Sequence, residues 1–312
     1  MIKNYLIVAY YLYTPVEDPH EEVRKHHAFL GARDVRSRIY ISHEGINGEF
    51  SALREDAEAY MEWLKSDPHF AAVDFKVDEW HEHVMPRLTI KFRKQLVALD
   101  VSPDMSLGGT HVSAEEWRQM LQQRDEDTVL IDVRNDYESK VGHFEGAILP
   151  QLESFRQFPE YAAELKEKCD PKKTKVMMYC TGGIRCEIYS ALLKENGFEQ
   201  VYQLSGGVIR YGQDVGGEHW HGKLFVFDDR LSVPVGPEEQ SEVISCCKYC
   251  SASTDSYYNC ANMDCNELFL LCPSCAEKMR GCCSEECRCA ERLRPFDPNI
   301  RPKPFKKWYH YT

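Results

Sequence analysis

A short apolar run that ends at a cysteine and then turns through two glycines constrains the middle of this 312-residue chain more than any other feature. Residues 176–179 have the composition of a buried strand, and a helical pattern starts just after Gly183. The glycines let successive backbone N–H groups point inward, and the N-terminus of the next helix adds partial positive charge. Together with the nearby Arg185, these features favour a thiolate of low pKa. Cys180 is therefore predicted to be reactive rather than a structural cysteine that closes a strand.

The residues on both sides of this turn resemble a rhodanese domain. Residues 128–138 and 142–147 look like the opening of that domain, and residues 196–207 look like its end, in the family's order and spacing. The resemblance implies an α/β domain over residues 110–228, in which Cys180 carries a persulfide or acts as a nucleophile. Its predicted active-site loop consists of Thr181, Gly182, Gly183 and Ile184.

The same loop excludes a related class of enzyme. Phosphatases of the neighbouring fold usually place a histidine before the cysteine and keep a longer spacing between the cysteine and the arginine. Here Tyr179 precedes Cys180, and only the loop residues separate Cys180 from Arg185. Hydrolysis of phosphate esters is therefore not expected.

The length of the chain and its net charge restrict its number of domains and the molecules that it can bind. At 312 residues the chain exceeds a usual single core, and three regimes of composition follow one another along it, which favours three domains. The net charge of −12 argues against a uniformly basic coat for nucleic acid but allows a local patch. Residues 5–13 are rich in tyrosine and lack a cleavage pattern, and no stretch reaches a transmembrane length. A cytoplasmic protein without membrane or DNA partners is expected.

Hydrophobic periodicity in residues 1–100 predicts strand, helix, strand, strand, helix and strand, in that order. The predicted segments are 5–13, 20–30, 35–42, 46–51, 54–66 and 73–77, with a further strand at 88–92. This order is typical of a ferredoxin-like or acylphosphatase-like domain. Residues 100–110 are rich in turn formers and are predicted to be a linker.

A local positive patch lies near the C-terminal end of this first domain. It is either a solvated edge or a surface that contacts phosphates, and composition leaves both open. Its members are Arg87, Lys91, Arg93 and Lys94.

The third region is rich in cysteine, because eleven of the fourteen cysteines lie from Cys246 to Cys289. Eight of them form close pairs in turns, and four thiolates in a tetrahedron bind Zn²⁺. The sequence therefore predicts two structural zinc ions in a small module over residues 240–290, and disulfides are disfavoured because nothing indicates an oxidising compartment. The predicted ligands are Cys247, Cys250, Cys260, Cys265, Cys272, Cys275, Cys283 and Cys287.

Two groupings of these ligands are open. Interleaved pairing places the first and third pairs on one ion and the second and fourth on the other, whereas sequential pairing joins neighbouring pairs. Cys246, Cys282 and Cys289 are left over, and spacing alone also allows a pair to shift by one residue to use Cys246 or Cys282.

Nearly the whole chain resembles one family, the oxygen-dependent tRNA uridine hydroxylases, which install 5-hydroxyuridine at the wobble position. The resemblance rests on residues 42–48, 179–187, 224–230 and 259–266. It implies an α/β fold with an acylphosphatase-like N-terminal domain, a central rhodanese domain and a Cys-rich extension. It further implies a tRNA anticodon loop as partner, dioxygen as co-substrate, activity that depends on Cys180, and Cys186 as a candidate resolving thiol.

The oxygen chemistry has no cofactor motif in the sequence. There is no dinucleotide fingerprint, and the His-x-His pairs at 81–83 and 219–221 are more typical of surface histidines than of a metal site. Two routes fit the loop: attack of the Cys180 thiolate on the uracil ring, or an oxidised sulfur on Cys180 that carries oxygen. The alternative functions are sulfur transfer through a Cys180 persulfide and a non-catalytic zinc-containing interaction module.

Residues 291–312 form a basic and aromatic tail that matches no motif. Cations can neutralise phosphates while aromatic rings stack on unpaired bases, so the tail suits a single-stranded anticodon loop. Packing of the same aromatics against the rhodanese domain is the alternative.

Overall fold

The computed structural model describes residues 4–238 and 241–297. Its first unit is a five-stranded sheet of order β4-β1-β3-β2-β5, antiparallel except that β5 runs parallel to β2. The elements are β1 (Tyr5–Tyr13), α1 (Pro19–Leu30), β2 (Val35–Ser42), β3 (Gly45–Leu53), α2 (Arg54–Ser66), β4 (Asp74–Trp80) and β5 (Ile90–Phe92). The predicted ferredoxin-like order is confirmed, with β5 as an additional edge strand.

The two faces of this sheet have different partners. One face carries apolar residues that pack against Tyr60 and Leu64 of α2 and form a buried core. The other face carries Tyr11, Asn47 and Lys76, which line a cavity together with residues of the rhodanese-like domain. Strand alternation therefore separates a core face from a site face.

The rhodanese-like domain has a parallel sheet of order β6-β10-β9-β7. Its central strand β9 is buried on both faces, as expected of a covered parallel sheet. The elements are β6 (Thr110–Val112), α3 (Ala114–Gln122), β7 (Thr128–Asp132), α4 (Asp136–Ser139), β8 (Gly142–Phe144), α5 (Phe158–Lys168), β9 (Lys175–Tyr179), α6 (Ile184–Glu195), β10 (Gln200–Leu204), α7 (Gly207–Asp214), β11 (Trp220–Gly222), β12 (Leu224–Phe225) and β13 (Ser232–Val233).

The segment predicted to be a linker packs against α6. It contains a short 3₁₀ turn at Met105–Leu107, the N–H of Asp104 donates to Glu195, and the N–H of Gly109 donates to Ser190 Oγ. No helix among the described residues is long and apolar enough to cross a bilayer.

The Cys-rich region is a small unit whose core consists largely of cysteines with Phe269 and Leu271. Its elements are β14 (Tyr257–Asn259), β15 (Leu268–Leu270), α8 (Pro273–Met279) and α9 (Glu285–Arg288). Arg292 pairs with Asp264 at 2.6 Å, and Arg294 donates to the carbonyl of Cys260 at 2.5 Å, so the start of the tail is held against this unit. Residues 298–312, which include most of the predicted RNA-contacting tail, lie outside the described residues.

Candidate active site and metal centres

The loop after β9 holds Cys180 at the start of α6. Gly183 has a φ of +103°, a backbone conformation that glycine adopts readily, and its N–H donates to Cys180 Sγ at 3.1 Å. The N-terminus of α7 holds the backbone of Cys180 in place, because the N–H of Val208 donates to the carbonyl of Cys180 at 3.0 Å. At Gly207 a Cβ would lie 2.6 Å from that same carbonyl oxygen, so only glycine fits there.

Electrostatics favour the thiolate of Cys180. Burial alone raises the pKa, but the hydrogen bond from Cys186, the charge of Arg185 and the backbone N–H groups of Arg185 and Gly183 outweigh it and lower the pKa to about 5. Burial and the adjacent Cys180 raise the pKa of Cys186 well above its usual range. Cys186 is thus a protonated thiol that donates to the Cys180 thiolate at neutral pH.

Arg185 does not present a free guanidinium to a substrate phosphate. It forms a bidentate ion pair with Glu138 of α4, with Nη1 at 2.5 Å from Oε1 and Nη2 at 2.7 Å from Oε2, and both side chains are largely buried. Both guanidinium nitrogens Nη1 and Nη2 are thus engaged by a carboxylate of the protein itself. The residue acts on Cys180 through its charge and through the position of α6.

Replacing Arg185 with alanine is expected to raise the pKa of Cys180 by about one to three units, because a nearby cation is lost. It also leaves the Glu138 carboxylate buried and unpaired, which costs about 3–5 kcal/mol of folding free energy. The pH dependence of alkylation and a urea titration measure the two effects. Arg185→Lys keeps the positive charge and is the matched control. The double variant Arg185→Ala/Glu138→Ala also removes the Glu138 carboxylate, which is otherwise left buried and unpaired. An unchanged pH midpoint in this double variant would show that Arg185 does not stabilise the thiolate.

A cavity of about 500 Å³ lies between the loop and the site face of the N-terminal sheet. Cys180 forms part of its wall. Several polar side chains that the sequence did not identify also line it, and they come from segments far apart in the chain. They include Tyr11, Arg38, Glu49, Lys76 and Arg230.

A carboxyl pair lies on one side of this cavity. Burial and the neighbouring Asp228 raise the pKa of Glu49, against the opposing charges of Arg230 and Arg38. Asp228 itself accepts two bonds from Arg230 Nε, at 3.1 and 3.0 Å, and one from Nη2 at 2.7 Å. Glu49 consequently keeps its proton to a higher pH than an exposed glutamate and donates to Asp228.

A buried amine lies on the other side. Lys76 is only 3% exposed, and burial lowers the pKa of its ammonium although Asp74, at 3.9 Å, partly offsets this. Its Nζ lies 4.9 Å from the centre of the Tyr11 ring, whose hydroxyl donates to Glu187 at 2.8 Å. The side chains of Lys76, Glu49 and Cys180 therefore line the same cavity.

Two groups of four cysteines come together in the C-terminal unit. In each group the four sulfurs lie within 4.8 Å of one another. The closest contacts are 3.5 Å, between Cys250 and Cys272 and between Cys265 and Cys283. Sulfurs at about 2.3 Å from one tetrahedral zinc are about 3.8 Å apart, so the donor sets fit the metal. The groups are Cys247, Cys250, Cys272 and Cys275, and Cys260, Cys265, Cys283 and Cys287.

This arrangement corresponds to the interleaved grouping and not to the sequential one. Cys246, Cys282 and Cys289 belong to neither group, and none of the fourteen cysteines, all of which lie in the described residues, forms a disulfide. Among the described residues, no other cluster of histidine, cysteine or acidic side chains has such geometry, and the His-x-His pairs do not form one.

The sequence matches three domain families in order. These are the UPF0176 acylphosphatase like domain over residues 5–96, the rhodanese-like domain over residues 113–213 and the rhodanase C-terminal domain over residues 221–288. The fold and the loop thus define a rhodanese-domain protein with an acylphosphatase-like N-terminal domain and a Cys-rich C-terminal unit.

Full-length relatives specify the family. The tRNA uridine(34) hydroxylase of Protochlamydia amoebophila is 52% identical over 308 residues, which cover 99% of this chain and 96% of the relative. That of Chlamydia trachomatis serovar D is 53% identical over 98% of this chain and 94% of the relative, and that of Chlamydia muridarum is 54% identical over 98% and 93%. The chain belongs to the tRNA uridine(34) hydroxylase family, as its sequence motifs indicated.

Proposed function

We propose that this protein hydroxylates C5 of uridine 34 in the tRNA anticodon loop, with dioxygen as co-substrate and Cys180 as the catalytic nucleophile. The observation that carries the proposal is the Cys180 thiolate in the wall of a cavity of about 500 Å³. This volume lies in the range of sites for small ligands, and an unpaired base of a loop can be turned into such a pocket.

A chemical role for the thiolate follows from the structure of uracil. Addition of Cys180 Sγ to C6 forms an S–C6 bond and moves the electron pair of the C5=C6 bond toward C5 and O4. C5 then becomes the nucleophilic carbon that accepts oxygen. Loss of the C5 proton with departure of Sγ from C6 then restores the C5=C6 bond and frees the thiolate. Insertion of one oxygen atom leaves the other to be reduced to water with two electrons and two protons, so an external reductant belongs to the reaction.

Other groups have supporting roles in this proposal. Cys186 donates to the thiolate, which supports it as the candidate resolving thiol if Cys180 is oxidised. The two cysteine groups hold zinc as structural ions, since all four positions of each are thiolates and no ligand position stays open. The cytoplasm, where tRNA is modified and thiols stay reduced, is the proposed location.

Nucleoside mass spectrometry of tRNA from cells that lack the gene tests the function. We expect the loss of 5-hydroxyuridine and its derivatives, and their return when the wild-type gene is supplied. Unchanged levels of these nucleosides in a strain without any other hydroxylation route would overturn the proposal.

Sulfur transfer is the second candidate because the same thiolate loop suits a persulfide. It predicts a different result in the same experiment, namely loss of thiolated nucleosides with 5-hydroxyuridine retained. The family relationship over the whole chain favours hydroxylation.

A further inference from the structure

A continuous row of side chains crosses the N-terminal sheet from the active-site loop to its edge. The strand register places Tyr11 beside Asn47, Asn47 beside Tyr40, and Tyr40 beside Lys91. Register neighbours point to the same face, and Tyr11, Asn47 and Tyr40 all line the cavity. The row spans three inter-strand spacings, about 14 Å in all.

The inner end of the row contacts the loop that carries the thiolate. At Gly183 a Cβ would lie 2.7 Å from Tyr11 Oη, so the tyrosine packs directly on the backbone of the loop. The hydroxyl of Tyr11 donates to Glu187, which lies on α6 shortly after Cys186. An RNA base bound next to Cys180 therefore also lies next to this row of side chains.

The outer end of the row is an aromatic and basic surface. The Arg93 guanidinium lies 4.7 Å from the centre of the Tyr40 ring, in cation–π contact, and Lys91 and Lys94 are exposed beside it. Among residues 4–238 and 241–297, no carboxylate forms an ion pair with Arg87, Lys91, Arg93 or Lys94. These cations are thus uncompensated on a chain of net charge −12, which favours an anionic partner over a solvated edge.

We propose that this row binds the single-stranded RNA next to the target uridine, with Tyr40 stacked on a neighbouring base and Lys91 and Arg93 on the phosphates of the same strand. The inference rests on the proposed function and adds where the anticodon loop is held. Aromatic rings and cations in one row suit unpaired nucleotides, because bases stack on the rings while phosphates meet the charges. A membrane or an acidic protein would not need stacking positions.

The binding test uses the purified full-length protein and an anticodon stem–loop with uridine 34, followed by fluorescence anisotropy at several salt concentrations. For Lys91→Gln/Arg93→Gln we expect the Kd to rise at least about tenfold and the salt slope to fall by roughly 1.4, since each phosphate contact to a single strand contributes about 0.7. Tyr40→Ala is expected to weaken binding about tenfold, whereas Tyr40→Phe retains the ring and the affinity.

The matched control is Lys166→Gln/Lys172→Gln, which removes two exposed lysines from the rhodanese-like domain. It should leave both the Kd and the salt slope unchanged, and thermal unfolding checks that every variant is folded. A wild-type protein that binds the stem–loop, together with a Lys91/Arg93 variant of unchanged Kd and slope, would overturn the inference alone. A wild-type protein that neither binds nor hydroxylates the stem–loop would instead overturn the proposed function.

Discussion

Cys180→Ser protein is expected to lose hydroxylation of tRNA by at least roughly a thousandfold while it keeps its fold and its affinity for tRNA. A serine hydroxyl has a far higher pKa than the thiol and is not ionised at the N-terminus of α6, so it cannot add to the uracil ring. Nucleoside analysis after incubation with the stem–loop measures the activity, and circular dichroism checks the fold. Cys169→Ser, a substitution outside the loop, is the matched control and should stay active. An active Cys180→Ser protein would refute the nucleophile assignment.

The pH dependence of alkylation tests the electrostatics behind this prediction. With a pKa of about 5, Cys180 is almost wholly ionised at pH 7, whereas an ordinary cysteine with a pKa of about 8.5 is only a few per cent ionised. The rate of Cys180 alkylation by iodoacetamide should therefore be flat from pH 6 to pH 8 and fall as the pH drops through about 5. A midpoint near 8.5 in the wild-type protein would contradict the hydrogen bonds and charges described above.

The local elements of this protein are predictable from the sequence because short-range patterns determine them. The alternation in residues 5–13 and the helical spacing in residues 54–66 predict β1 and α2 with the observed bounds. The loop at Cys180 is predictable for the same reason, since its strand, its glycines and its helix are contiguous. Full-length relatives confirm the resemblance that these motifs carried.

The cavity is not predictable in the same way, because tertiary contacts build it. In β3, Asn47 and Glu49 alternate with Ile46 and Phe50, which is the ordinary pattern of a sheet with one solvated face. No local sequence pattern shows that the rhodanese-like domain covers this face of the N-terminal sheet. The partner of Arg185 was missed for a related reason, as Glu138 lies 47 residues earlier in the chain.

The grouping of the cysteines could not be derived from spacing, since interleaved and sequential pairings use the same close pairs. The chain topology decides between them. The hairpin of β14 and β15 holds the second pair in its loop and returns the chain antiparallel to its start, so the third pair lies beside the first, with Cys250 at 3.5 Å from Cys272. Such a return is a long-range property of the fold.

Removal of zinc is expected to unfold the Cys-rich unit and to leave the parallel sheet of the rhodanese-like domain intact. Purified protein should contain close to two zinc ions per chain, because the geometry provides two complete four-thiolate sets. Structural zinc supplies about 10–16 kcal/mol of apparent binding free energy in small domains, so folding of this unit depends on the metal. After chelation, hydrogen exchange should accelerate throughout residues 246–293 while β9 stays protected.

The cysteine variants provide the controls for this prediction. Cys272→Ser should lower the zinc content to about one ion, whereas Cys289→Ser, outside both groups, should retain two. The loss of order should also reach α4, because the hydroxyl of Tyr257 donates to the carbonyl of Tyr137 and the Tyr257 ring packs on Phe225. Since Tyr137 precedes Glu138, the partner of Arg185, chelated protein should show reduced but measurable hydroxylation. Metal-free protein with the eight cysteines joined in disulfides and full protection of this unit would instead establish a disulfide-stabilised fold.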